Sequence, residues 1–573
     1  MALVLLLLAV SSQSLSAWLL PPMTSLLQID SLLKLDSLAL SSLLDITGSS
    51  RVIVRGADGV AESLLTTVLE DAGGTVYRTL GVINAQVVDL PNAALLTAAA
   101  DPLVARISLD RLVVGTMERT SAAIRATAVR QNLGYDGAGV GIAVIDSGIT
   151  TSHDDLVTST GAQRVVDFVD FVNGRAVAYD DYGHGTHVAG TVAGNGFDSS
   201  GARSGIAPGA HLMVLKALDA NGRGHISDVI AALDYAVAHK DAFNIRVVNL
   251  SVATGVYESY KTDPLTLAAK RAVEAGIVVV AAAGNRGRNA NGHEAYGGVT
   301  APGNAPWVLT VGASSHMGTV TRSDDTMAAF SSRGPGAIDY SAKPDLVAPG
   351  VGIESLSDPH SAFYTTKSAY LLQGTVATWY LPYLSLSGTS MSAPVVSGTV
   401  ALMLQANPAL TPNFVKAILQ FTAQVYPLYD PLTEGAGFLN AKGAVDLARY
   451  FVAPATTAYP SASGWSKRLI WGNRLMSRQR LPRDATTWST NVTWGEGTLA
   501  NYAYVRNVVW GVACGGGDCQ GSWTVEGAND DDSVVWGTDD ADTVVWGTSD
   551  DDSVVWGTDC GDPACEPVIW PHP

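Results

Sequence analysis

Three short segments carry residue types that could perform nucleophilic and acid–base chemistry together. Val144-Ile145-Asp146-Ser147-Gly148 ends an apolar run on a carboxylate, a position from which a buried aspartate can orient a histidine. Gly183-His184-Gly185-Thr186-His187-Val188-Ala189-Gly190 opens a helical pattern with a histidine, and the small residues after it allow close packing. Ser387-Gly388-Thr389-Ser390-Met391-Ser392-Ala393-Pro394 places a serine in the first turn of an apolar helix that runs to about Gln405. A serine hydroxyl at its own pKa is a poor nucleophile. It needs a base to take its proton, and the base needs an acceptor that fixes its tautomer. Asp146, His184 and Ser390 supply that set. A helix amino terminus under Ser390 adds unpaired N–H groups and a positive dipole end, both suited to a developing oxyanion.

Regular elements must hold these residues. From about residue 118 to 450, strand and helix patterns alternate, with near-continuous apolar strands at Gly141–Ile145, Ile245–Leu250, Ile277–Ala283 and Val308–Val311. Strands apolar on both faces belong to a parallel sheet covered on both sides. Between them, Ser227 is expected to cap one helix, Asp263-Pro264 to open a second that Gly276 ends, and Thr411-Pro412 to open a third. The fold class is therefore α/β, a doubly wound, mostly parallel sheet, in which chemistry gathers beyond the carboxyl ends of the strands.

At these residues the chain resembles the subtilisin-like serine proteases, the subtilases, whose three signatures correspond to Asp146-Ser-Gly, His184-Gly-Thr-His and Gly-Thr-Ser390-Met. The order Asp, His, Ser along the chain is the subtilisin order. A fourth match, Ala281-Ala-Ala-Gly284-Asn285, implies Asn285 as an oxyanion-hole amide. Further matches at Gly205-Ile-Ala-Pro208, Ser331-Ser-Arg-Gly334, Pro344-Asp345, Ala348-Pro-Gly350 and Gly435-Ala-Gly437 extend the resemblance over residues ~130–450. It implies a serine endopeptidase that needs no cofactor for its chemistry, acts on protein or peptide substrates and has room for a structural calcium.

The chain departs from the family pattern in two places. Ser251-Val252-Ala253-Thr254-Gly255 stands where the family has a Ser-Leu-Gly edge strand. With Ala282, Ala283 and Gly284 it forms the candidate substrate-binding wall, and the absence of acidic side chains there favours an apolar or broad preference over a basic one. About thirty residues, Ser355–Ser385, with Tyr364, Tyr370, Trp379, Tyr380 and Tyr383, separate Ala-Pro-Gly350 from the serine motif; they read as a cleft-edge loop or a surface excursion. His187 reads as a packing histidine, since no HExxH pattern exists, so no metal ligand is assigned. Asp155 matches a family position that often helps bind calcium, but the Asn195–Ser204 loop is short and Asp155 reads as a turn residue.

The flanks differ in kind. Residues 1–20 read as a secretory signal, with the apolar run Ala2–Val10 too short to span a bilayer. Residues 21–50 are a Leu-rich segment without assignment. Residues 51–117 show a βαββαβ order, a small α+β ferredoxin-like unit that resembles the inhibitor-type propeptide of secreted subtilases; its junction with the protease-like domain, 118–454, falls within Val114–Ala123. A slow-folding parallel sheet makes such a template physically reasonable. Residues 455–573 hold ten of the thirteen tryptophans and a ten-residue repeat around Trp536, Trp546 and Trp556, each Val-Val-Trp-Gly-Thr. This Trp-Gly tail reads as short strands or disorder, with its rings buried against neighbours or forming a binding surface. All four cysteines lie here, as Cys514-x4-Cys519 and Cys560-x4-Cys565, and suit disulfides in an oxidising compartment better than a zinc knuckle.

Composition bounds the remaining choices. In 573 residues, 47% are hydrophobic and 15% charged, enough for a large core and too few charges for disorder throughout. A net charge of −18 repels phosphate backbones and disfavours nucleic acid as a partner. After the leader, no stretch is long and apolar enough for a membrane span. The expectation is a secreted, extracellular or cell-surface, self-processing protease inhibited by its own propeptide. The alternative is a surface-binding protein that works through its Trp-Gly tail. Sedolisin-type chemistry, the mechanistic runner-up, would put an acid where His184 stands.

Overall fold

A computed structural model describes residues 31–509, short stretches aside, and Ser553–Val555. The chain divides into two compact units between Val114 and Gly115. In the first unit, strands β1 (Ser49–Gly56), β2 (Thr75–Leu80), β3 (Ala85–Pro91) and β4 (Val104–Leu109) form an antiparallel sheet in the order β2-β3-β1-β4. Helices Glu62–Asp71 and Leu95–Ala100 fall between β1 and β2 and between β3 and β4. Their Leu65, Leu69 and Leu95 join Val52, Val54, Val88 and Ile107 in one core.

The second unit is built on eight strands. These are β5 (Gly141–Asp146), β6 (Val165–Asp170), β7 (His211–Lys216), β9 (Ile245–Leu250), β10 (Val278–Ala282), β11 (Leu309–Ser315), β12 (Thr326–Met327) and β13 (Leu346–Pro349). Their order is β12-β11-β10-β9-β5-β7-β6, with β13 also beside β11. Every pairing is parallel except β11 with β12. β5 and β10 are buried along their whole length, as their uninterrupted apolar sequences require. The strand order reverses at β5, whose neighbours are β7 and β9. That is the topological switch point of the sheet, and β5 ends on Asp146.

Helix starts follow their caps. Asp263 accepts the Thr266 N–H at 2.9 Å and Thr411 accepts the Phe414 N–H at 3.2 Å, each followed by proline at the first helical position. Ser227 is not a cap. Its helix, Ile226–His239, begins directly after the short strand β8 (Arg223–His225), so His225 takes the N-cap position and Ser227 lies inside. β8 pairs antiparallel with Ser553–Val555, the backbone of one tail repeat.

The segment after Gly350 folds on itself as an antiparallel sheet of β14 (Ile353–Leu356), β15 (Leu371–Leu372) and β16 (Tyr383–Leu386), with a short helix, Ala362–Thr366, between β14 and β15. Further on, β17 (Arg468–Trp471), β18 (Arg474–Ser477) and β19 (Ala503–Asn507) form another antiparallel sheet. Trp465, Trp471, Trp488 and Trp494 are buried in the main core, Trp488 stacked on Phe414 and Trp494 under the Lys416 ammonium. Among the described residues no helix is long and apolar enough to cross a membrane. The four cysteines, the leader and the tandem repeats other than Ser553–Val555 lie outside the described residues.

Candidate active site

Adjacent parallel strands β5, β9 and β10 bring their carboxyl ends to one edge of the sheet, where Asp146 ends β5, Ser251 follows β9 and Asn285 lies just beyond β10. Asp146, the last residue of β5, is buried. Its Oδ1 accepts the Ser147 N–H and the His184 Nδ1–H, each at 2.7 Å. That bond places the proton of a neutral imidazole on Nδ1 and leaves Nε2 as the basic nitrogen. His184 opens the helix His184–Ala193 and is 0% exposed.

The turn carrying His184 is held from below by Asp180. This buried carboxylate accepts from Ser147 Oγ at 2.9 Å, Gly183 N–H at 2.7 Å, Thr186 N–H at 2.8 Å and Thr186 Oγ1 at 2.7 Å. It caps the helix amino terminus, where a negative charge is stabilising, and ties it to the end of β5. Lys216, also fully buried, donates to the Ser147 and Leu218 carbonyls and to Asp181 Oδ1, at 2.6, 2.7 and 2.7 Å.

Ser390 lies in the first turn of the long helix Thr389–Ala406, which packs beside the His184 helix, and is 6% exposed. Pro394 has no N–H to give the Ser390 carbonyl four residues earlier. The Ser251 hydroxyl fills that place, donating to Ser390 O at 2.8 Å. Asn249 Nδ2 donates to Ser251 Oγ at 2.9 Å, and Ser397 Oγ to Asn249 Oδ1 at 2.8 Å. The serine turn is thus pinned to the end of β9.

Asn285, just beyond β10, is oriented by Thr389. The Thr389 N–H and hydroxyl both donate to Asn285 Oδ1 at 3.0 Å, and Thr389 Oγ1 accepts the Gly284 N–H at 3.1 Å. With its carbonyl oxygen engaged, the amide turns Nδ2 toward the Gly388–Ser390 turn. A methyl group at Gly388 would meet Asn285 Nδ2 at 3.6 Å and Ser390 N at 3.8 Å.

The substrate-wall candidates divide. Ser251 and Val252 are buried, the first bonded under Ser390 and the second in the core, so neither side chain lines a cleft. Ala253, Thr254 and Gly255 are half-buried and do not continue β9 as a regular strand; Thr254 makes a lone bridge to Ala301. Ala282, Ala283 and Gly284 are buried.

Residues 137–451 match the Subtilase family. Among curated relatives, serine protease AprX of Bacillus subtilis is 36% identical over 59% of this chain and 74% of its own length. Subtilisin E of the same species is 32% identical over 66% of this chain and 84% of its own. A solved cold adapted subtilisin-like serine proteinase matches at 30% identity over 53% of this chain and 88% of that one, with a TM-score of 0.38. The chain belongs to the subtilase family. It is a subtilisin-like serine endopeptidase.

Calcium can be tested on this subtilase's own residues, because His153, Asp155 and Asp198 bring potential ligand atoms within 4.8 Å of one another. Asp155 Oδ1 already accepts the Asp198 N–H and Oδ2 the Tyr383 hydroxyl, each at 2.9 Å. His153 Nδ1 accepts the Asp155 N–H at 3.1 Å, while Nε2 donates to the Pro382 carbonyl at 2.8 Å. Burial pushes Asp198 up to about 6. An imidazole and two carboxylates, one already bonded at both oxygens, do not fit the six to eight oxygens that calcium takes. Asp155 is a fastener between two loops rather than the simple turn residue expected.

His187 is the packing histidine expected of it. Its Nε2 donates to the carbonyls of Ile353 and Leu384 at 3.0 Å each, and burial, with His184 second, holds its pKa down at about 3. Sequence reasoning missed Asp180 and Thr389. Both were within reach: Asp180 stands just ahead of the Gly183-His184 helix start, and Thr389 adjoins the serine.

Proposed function

We propose that Ser390 is the nucleophile, His184 the general base and then acid, Asp146 its orienter, and Asn285 Nδ2 with the Ser390 N–H the oxyanion donors. The observation that carries this reading is the 2.7 Å Asp146–His184 bond at the switch point, beside a helix whose first turn holds Ser390. As Ser390 Oγ attacks the scissile carbonyl carbon, its proton passes to His184 Nε2 and the carbonyl oxygen gains negative charge between the two N–H donors. His184 returns the proton to the leaving amine, and an acyl-enzyme remains that water hydrolyses by the same steps. Asp146 stabilises the transient imidazolium through Nδ1 and stays ionised. Donors fixed in advance on Asn285 and the helix end cost no reorganisation when the charge appears.

Substrates are extended peptides or unfolded proteins that lie as an added strand along the cleft edge. The half-buried Ala253–Gly255 stretch brings no acidic side chain, which supports an apolar or broad preference. A panel of Leu/Phe peptides is expected to outperform Arg/Lys peptides; the reverse ranking rejects that preference.

The enzyme is exported through residues 1–20 and made as a zymogen whose 51–117 unit serves as folding template and inhibitor. In support, the four-stranded unit has its own core, and the division between compact units falls at Val114/Gly115, inside the junction expected from the sequence. Intact mass and amino-terminal sequencing test this. Wild type should be cleaved within 114–123, and S390A should accumulate uncut across that junction. Cleavage of S390A expressed alone in a protease-deficient host contradicts self-processing.

A further inference from the structure

The segment between Gly350 and Ser387 forms a brace around the start of the His184 helix. His187, one turn along that helix, holds two brace carbonyls, Ile353 on β14 and Leu384 on β16. At its other end Ser361 caps the short brace helix by accepting the Tyr364 N–H at 3.2 Å. The first two N–H groups of that helix leave the brace: Ala362 donates to the Asp181 carbonyl and Phe363 to the Tyr182 carbonyl, each at 2.9 Å. These are the residues just before Gly183-His184. The approach is close enough that a Cβ on Gly183 would lie 2.8 Å from Ser361 Cβ and 3.1 Å from Phe363 Cβ, and Gly183 has φ +101°. Only glycine fits there.

The Phe363 side chain completes the contact. It is 7% exposed and stands nearly perpendicular to the His184 imidazole, with ring centroids 6.2 Å apart at 84°, and packs on Tyr182 at 4.4 Å. The ring belongs to the segment whose role the sequence left open, 179 positions from the histidine it touches.

We propose that Phe363 is a positioning residue for His184. Asp146 holds the imidazole at Nδ1, and the edge contact with Phe363 bears on the plane of the ring and keeps water off it. Both effects keep Nε2 aimed at its partner. The inference rests on the reading of His184 as general base. Among the described residues the ionisable groups facing His184 and its turn include Asp146 from β5, His187 from its own helix, and Asp180 with the Lys216–Asp181 pair below the turn, while Asp358 on the brace faces Asp180. None of them changes when Phe363 is replaced.

The test compares F363A, F363L and S361A with wild type, each counted by active-site titration, and with H184A and S390A at equal concentrations of folded protein. F363A is expected to lower kcat by about ten-fold or more with KM close to wild type. It is also expected to move the acid limb of the kcat/KM profile, because water then reaches the ring. F363L, which refills the volume, is expected to restore most of kcat and the wild-type limb. S361A loosens the brace helix without touching His184 and should shift both readouts the same way by less; it stands in for F363A if that variant does not fold. Wild-type kcat and acid limb in F363A, or in S361A where it substitutes, with only a lower Tm, overturn the proposal. Retained turnover in H184A would instead refute the triad reading beneath it.

Discussion

Two buried carboxylates in the same sheet are used in opposite ways. Asp345, just before β13, has both oxygens fully committed. Oδ1 meets Lys416 at 2.8 Å and Gln420 Nε2 at 3.1 Å, while Oδ2 meets Lys343 at 2.9 Å and the Thr310 N–H at 2.8 Å. Each lysine is completed by neighbouring oxygens, Lys343 by Val308 O and Thr310 Oγ1, Lys416 by Pro306 O and Val308 O. Burial alone would raise Asp345, yet the two ammonium groups hold it below the usual carboxylate range. Among the described residues no lysine or arginine pairs with Asp146. Its Oδ1 takes two donors, and Oδ2 has no hydrogen bond among the described residues. A carboxylate with both oxygens taken up by lysines and amides locks helix Pro412–Thr422 to the sheet. A carboxylate whose principal partner is an imidazole can hold that ring while the proton at its far nitrogen comes and goes.

The comparison can be broken most sharply by exchanging the two acids for amides. D146N should lower kcat by ~10⁴ with Tm close to wild type, because the imidazole loses its tautomer while the packing stays. D345N should do the reverse, with stability down by ~3–5 kcal/mol in denaturant titration and kcat per folded molecule retained, since two buried ammonium groups lose their charge partner. Equal damage to Tm from both would erase the distinction. Next in size, N285A should lower kcat by ~10²–10³ at constant KM, a range for loss of one oxyanion donor that was itself established on a subtilisin.

S251A sharpens the comparison further, because it removes the bond that replaces the helical one missing at Pro394. Leaving the Ser390 carbonyl unpaired should cost ~1–3 kcal/mol of stability and lower kcat, read by denaturant titration and initial rates. The smallest effect concerns Glu434, which shows what burial does to a carboxyl lacking paired lysines. Burial first, then Asp430, raises it from 4.5 to about 8. A carboxyl whose pKa is higher in the fold stabilises at low pH, and the benefit is lost as pH rises through about 4.5 to 8. Wild type should therefore lose Tm over that window relative to E434Q; parallel Tm–pH curves would contradict the shift.

The parallel sheet was legible because β5 and β10 are apolar runs and β9 is one broken only by Arg246 and Asn249, and the Asp146, His184 and Ser390 segments because each sits where such a run ends or a helix begins. Ser251 was legible as a member of the site and misread in its role. Its position after β9 suggested a cleft wall, but the proline four residues past Ser390 had already left a carbonyl in need of a donor. The helix after β8 was misjudged by a serine cap because β8, a three-residue strand with Gly224 at its centre, carries no period to recognise. Phe363 was not legible at all. Its contact with His184 depends on how β14, β15 and β16 fold the inserted segment back over the helix, a long-range pairing that leaves no local pattern.

The most direct measurement is tandem mass spectrometry of the active enzyme after reaction with a serine-directed fluorophosphonate. The account requires stoichiometric modification of Ser390, absent in S390A and strongly slowed in H184A and D146N. Modification of another serine at equal rate, or peptide hydrolysis persisting in S390A, would contradict it.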